Sequence, residues 1–126
     1  MNQARSGHGC AVANFKGSLT VFVAGGYNSD DGYLDSVEVL DLKDDQWKTL
    51  PSKLPVPLRS LQVLSARSLK YHIYAVGGYN MDIQGRVATI YGLNKSEEWE
   101  HVDDLKHARS SHSTINMKLK DIPGCQ

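Results

Sequence analysis

The string Phe22-Val23-Ala24-Gly25-Gly26-Tyr27-Asn28 is written a second time as Tyr74-Ala75-Val76-Gly77-Gly78-Tyr79-Asn80, and this duplication restricts the fold more than any other feature of the 126-residue chain. The glycine pairs stand 52 residues apart, and Trp47 and Trp99 also stand 52 apart. Two landmarks of unrelated chemistry therefore share one period. A third landmark, Arg-Ser, begins successive units at Arg5-Ser6, Arg59-Ser60 and Arg109-Ser110, with steps of 54 and 50 residues. His8, Gln62 and His112 each follow the arginine by three.

Each unit breaks into short apolar runs separated by turn residues, with no helical period. Cys10-Ala11-Val12-Ala13-Asn14-Phe15 is small and apolar and reads as the first strand. Lys16-Gly17-Ser18 reads as a tight turn. Leu19 to Ala24 is a nearly continuous apolar and β-branched run, the pattern of a strand covered on both faces. Gly25-Gly26 ends it where a positive φ or close backbone approach is expected. Residues 27–33 read as a loop, Ser36 to Leu42 as a third strand and Gln46 to Leu50 as an outer strand. The second unit repeats the plan, with strands over Arg59–Ala66, Tyr71–Val76, Val87–Leu93 and Glu98–Val102. About 50 residues is the length of one blade of a propeller.

The order Arg-Ser-x-His, a strand ending in Gly-Gly, a Val/Tyr-rich strand and then Trp resembles the kelch repeat. The resemblance covers nearly the whole chain. It implies an all-β fold of four-stranded antiparallel propeller blades: a tail at 1–4, blade one at 5–54, blade two at 55–104, the first strand of a third blade at 105–117 and a disordered tail at 118–126. Such propellers close with about four to eight blades, so an incomplete ring of two blades plus one strand is expected, as in a fragment or truncated product. Matching Leu42 to Leu93 makes the loop after the glycines one residue shorter in the second unit and the turn before Trp99 one residue longer. Leu58 and Ala108 hold the place before Arg where the family often has proline.

Lys+Arg and Asp+Glu balance at 14 each, so no bulk field holds nucleic acid or an anionic membrane. Cys10 and Cys125 give neither a disulfide framework nor metal spacing and read as free thiols in a reducing compartment. The N-terminus lacks an apolar secretion segment, and no run approaches twenty apolar residues. A soluble cytoplasmic protein is expected.

Trp47 and Trp99 read as blade-packing residues. His8, His72, His101, His107 and His112 are scattered without partner ligands, and Asp30, Asp31, Asp35, Asp44 and Asp45 read as solvated turn charges; no metal, cofactor or catalytic set is expected. The kelch pattern places the Arg-Ser starts and the loops after Gly-Gly on one face. That face presents Arg5, Ser6, Tyr27, Asn28, Arg59, Ser60, Tyr79, Asn80, Arg109 and Ser110, a mix suited to gripping a peptide, unless each arginine instead braces its neighbouring blade. The resemblance implies a protein-interaction module, presenting substrates to cullin-type ubiquitin ligases or binding actin through further domains, with self-association through open blade faces. The alternatives are a fragment of a sugar-acting propeller enzyme of the galactose oxidase or sialic-acid epimerase type, and a truncation without function.

Overall fold

The computed structural model describes residues 1–83 and 85–114, and these contain strands and turns but no helix. The first unit forms β1 (Gly9–Phe15), β2 (Ser18–Ala24), β3 (Tyr27–Asn28), β4 (Gly32–Tyr33), β5 (Val37–Asp41) and β6 (Gln46–Thr49). The second forms β7 (Gln62–Ser65), β8 (Tyr71–Val76), β9 (Tyr79–Asn80), β10 (Gly85–Arg86), β11 (Thr89–Asn94) and β12 (Trp99–Asp104). Two four-stranded antiparallel sheets result, ordered β1-β2-β5-β6 and β7-β8-β11-β12. These are two blades.

The blades pack face to face because period-2 alternation turns one apolar side of each toward the other. Phe15, Phe22, Val37 and Val39 from the first blade share one buried cluster with Val63, Ile73, Ala75 and Leu93 from the second. Leu54, Leu58 and Leu61 fill the seam from the connection between them. Each of the Val, Leu, Ile and Phe side chains contributes about 1.5–3 kcal/mol when fully buried, so the shared seam, rather than either sheet alone, is the core. The segments 27–33 and 79–86, expected as plain loops, carry two-residue ladders: β3 pairs with β4 and β9 with β10. These small hairpins make the end of each blade stiffer than its loop composition suggests.

Backbone hydrogen bonds define which residues are equivalent between the units. The Gly26 N–H donates to the Leu58 carbonyl (2.8 Å), and the Gly78 N–H donates to the Arg109 carbonyl (2.9 Å). Leu58 N–H reaches Leu34, and Arg109 N–H reaches Val87. Ser6 bridges Tyr27 while Arg59 bridges Tyr79. Leu58 therefore stands where Arg5 and Arg109 stand, and Arg59 stands where Ser6 stands. Alignment on the Arg-Ser string is wrong by one residue in the middle unit. In the true register Pro57, not Leu58, precedes the opening position.

The loop comparison also reverses. Leu40 pairs with Trp47 and Leu93 with Trp99, so Leu93 matches Leu40 rather than Leu42. The N–H groups of Gly25 and Gly77 donate to Ser36 and Thr89, which puts nine residues between Gly26 and Ser36 but ten between Gly78 and Thr89. The second loop is thus longer, and the turn before Trp99 shorter. No strand forms over the described residues 105–114. Their backbone is nonetheless fixed at Arg109 and at Ser111, whose N–H donates to the Ser60 carbonyl at 2.8 Å. The remainder of the expected third-blade strand, 115–117, and the tail at 118–126 lie outside the described residues.

Candidate functional site

The end of the blades that carries both small hairpins also carries the three unit starts. Glycine makes that convergence possible: a Cβ on Gly25 (φ +67°) would strike the Leu58 carbonyl oxygen, and one on Gly77 (φ +62°) would lie 2.5 Å from the Arg109 carbonyl oxygen. The next unit can therefore cross directly over the strand end.

Arg5 does not belong to the surface of this end. Its side chain is 0 % exposed and pairs with Glu38 at 2.6 Å. Its other amino group donates to the carbonyls of Gly25 (2.8 Å) and Ser36 (3.1 Å). Glu38 also accepts from the Asn2 and Gln3 backbone N–H groups. The fork is consumed inside blade one, so Arg5 braces its own blade and offers a partner nothing. In blade two the equivalent of Arg5 is Leu58, and the strand pairs Glu38–Val23 and Tyr91–Ala75 make Tyr91 the equivalent of Glu38. Leu58 and Tyr91 line a common small cavity of 110 Å³ with Val87 and Thr89. Apolar lining takes the place of the ion pair.

Arg59, displaced by one position, points outward. Its guanidinium lies over the rings of Tyr79 (5.4 Å), Tyr27 (5.6 Å) and Tyr33 (5.8 Å). Tyr27 and Tyr33 meet edge to face at 5.5 Å, and Tyr33 and Tyr79 are tilted at 6.3 Å. The Tyr33 hydroxyl accepts from the Met81 N–H at 3.2 Å, tying the two hairpins together. At an exposed site each cation–π contact contributes about 0.5–1 kcal/mol, so three together favour one placement of this long side chain. The sequence reading found Arg59, Tyr27 and Tyr79 but missed Tyr33. The available signal was its place beyond Gly32, directly across a tight turn from Tyr27.

The remaining expected residues divide by role. Asn28 donates to the Ala4 carbonyl (3.0 Å) and Asn80, 3 % exposed, to the Pro57 carbonyl (2.8 Å), so both staple the incoming chain. Asn28 also accepts from the N–H groups of Asp30 and Asp31, which leaves those acids as exposed turn residues. Ser6 is exposed, with its hydroxyl on the Tyr27 carbonyl; Ser60 and Ser110 are half-buried. Ser60 adopts φ +54° and donates its N–H to Gly7 at 2.6 Å. Arg109 is exposed, and among the described residues its side chain hydrogen-bonds only to the His107 carbonyl, at 3.4 Å.

Elsewhere, Trp99 packs against the core, while Trp47 is half-buried on the outer strand. Asp35 pairs with Lys53 and Asp44 with Lys48 at the surface. His8 and His112 occupy equivalent positions, and both titrate below the ordinary histidine range: burial is the main cause, and the neighbouring Arg5 or Arg109 adds to it. His72 is lowered by burial and by Lys95. No group of three His, Cys, Asp or Glu among the described residues could hold a metal ion.

Residues 4–54 match the family model described as the Kelch motif. No curated protein matches the sequence.

Proposed function

The chain is a kelch-repeat protein, and from that premise we propose that it acts as a binding module, not an enzyme, gripping a protein segment at the end where the hairpins meet. The observation that carries this is Arg59, exposed yet stacked on three tyrosines drawn from both blades. Arginine and tyrosine are enriched at interface hot spots, tyrosine because it offers large contact area with few torsions to freeze. Met81 (68 % exposed), whose N–H meets the Tyr33 hydroxyl, extends the same patch with apolar surface. A rigid scaffold presenting such a cluster on short loops is the usual arrangement of a binding site.

Within this reading, substrate presentation to a cullin-type ubiquitin ligase and attachment to actin are the two roles that the kelch resemblance supports, each through additional domains. An intracellular setting goes with them, supported by Cys10 as an exposed free thiol. Self-association through the second blade belongs to the proposal too. A 340 Å³ groove lined by Leu64, Tyr74, Val76, Ile90 and Val102 leaves that face uncovered among the described residues.

The test is selection of a random peptide library on the whole chain, repeated on Arg59→Ala and Tyr33→Ala variants whose melting curves match the parent. Enrichment by the parent and its loss in both variants is expected, with a hot-spot effect of about 2 kcal/mol or more. Equal enrichment by all three proteins would move the site elsewhere.

A further inference from the structure

We propose that the chain carries a second binding site, for a small organic cation with an apolar body, in the cleft between the blades at the end away from the unit starts. Phe15 closes β1 and Asp41 closes β5 at that end. The cleft measures 370 Å³, within the range of small-molecule sites. Its floor is apolar: Phe15, Val39 and Leu50 come from the buried seam of blade one, and Pro51 from the connection between the blades. Among the described residues blade two lines it only with Glu97, in the β11–β12 turn, so the sheets part here and leave room.

The charges on the rim decide what enters. Lys16 pairs with Glu97 at 3.6 Å, and Lys48 pairs with Asp44 at 3.1 Å. Asp41 has no cation against it among the described residues; one of its oxygens accepts from the Lys43 N–H at 2.8 Å and the other is left for a ligand. The unmatched charge is therefore negative. Lys16 already shows how a cation is received, because its ammonium stands 5.2 Å from the centre of the Phe15 ring. Its side chain is 69 % exposed and its ion pair is of the weak, solvated kind, so an incoming amine can displace it.

The rim is also fixed before anything binds. Lys16 at φ +50° and Glu97 at φ +61° both hold a left-handed backbone that residues with a Cβ seldom adopt. Strain of this kind collects at ligand clamps. The Glu97 N–H donates to the Asn94 carbonyl at 3.0 Å, and the Glu97 carbonyl accepts from the Ser52 hydroxyl. Asp41 is held at the base of the β5–β6 turn, its carbonyl accepting from the N–H groups of Asp44 and Asp45. An ammonium that meets Asp41 orders little that is not ordered already.

The experiment is an NMR titration of the whole chain with three probes of similar shape: phenethylamine, phenethyl alcohol and hydrocinnamate. Phenethylamine is expected to perturb the Phe15, Val39 and Leu50 resonances and to bind about fivefold more tightly than either of the others, the effect of one partly solvated ion pair. Asp41→Asn keeps an oxygen for the Lys43 N–H, and with it the turn, but removes the preference for the amine. Lys16→Gly relieves the left-handed position, takes away the competing ammonium and tightens amine binding. The strand resonances of both variants check that the fold is retained. A preference for the amine that survives Asp41→Asn overturns the proposal, as does amine binding that weakens in Lys16→Gly. Tighter binding of hydrocinnamate than of phenethylamine reverses the sign of the site, and no perturbation of the cleft by any probe removes it.

Discussion

The two blades share one hydrogen-bond register but hold their entry strands by opposite chemistry. Blade one closes its entry with a buried ion pair, Arg5 and Glu38, which also engages two carbonyls and two backbone N–H groups. Blade two places Leu58 and Tyr91 at the same two positions. A buried ion pair and a well-packed apolar pair of similar volume stabilise a fold about equally, because desolvation offsets most of the Coulomb attraction. The difference lies in what each tolerates. The ion pair fails badly if half is removed; the apolar pair fails gradually.

The largest effect should therefore come from breaking the pair in blade one. Arg5→Leu leaves Glu38 buried with its strongest partner gone and is expected to cost about 3–5 kcal/mol, read as a fall in the urea midpoint. Arg5→Leu combined with Glu38→Tyr copies blade two, and the double variant should be more stable than Arg5→Leu alone. A double variant no better than the single would mean that the blades are not interchangeable at this position.

A middle-sized effect is expected at the glycines that let successive units cross. Gly25→Ala sets a Cβ against the Leu58 carbonyl and against Leu54 and Leu61 of the core, at positive φ. It should cost about 1–3 kcal/mol. Gly77→Ala meets the Arg109 carbonyl and the His112 ring, neither of which belongs to the buried cluster, so its loss should be smaller. Equal urea midpoints for Gly25→Ala and the parent would refute the crossing account. Equal losses at the two sites would show that the second crossing is as rigid as the first.

These same residues explain what the sequence could and could not reveal. The Gly-Gly pairs were legible because all four glycines sit at positive φ against another backbone, a requirement that few other residues meet. The strands were legible because their alternation matches the shared core. The register of the middle start was not. Arg59-Ser60 imitates Arg5-Ser6 in letters, while the backbone reads Leu58 as the opening residue, and a one-residue slip moves a side chain from the interior to the surface. Arg5 and Arg59 thus carry the same residue type in opposite environments. Leu42, at 52 % exposed, misled the loop comparison because an apolar residue at a turn resembles a strand residue. Tyr33 escaped notice because hairpins of two residues leave almost no periodicity to detect.

The smallest effect concerns the residue three beyond each opening position, where His8 and His112 alternate with Leu61. His8 titrates below its ordinary value, first through burial and then through the Arg5 charge, with a backbone hydrogen bond opposing. A histidine whose folded value lies below its unfolded value is neutral by preference in the fold, so the unfolded chain binds the extra proton between the two values. Its contribution is fully present above the unfolded value, near pH 6.5, and fades as the pH drops from there through the folded value. The parent should lose stability on mild acidification. His8→Leu copies Leu61, which is 1 % exposed at the equivalent place, and should flatten the dependence in that window. His72 and His112, lowered for the same main reason, retain the rest of the slope. Urea midpoints measured between neutral pH and about pH 5 decide the matter: unchanged pH dependence in His8→Leu would mean that His8 is as well solvated in the fold as in the unfolded chain, and that the blades differ at this position in shape alone.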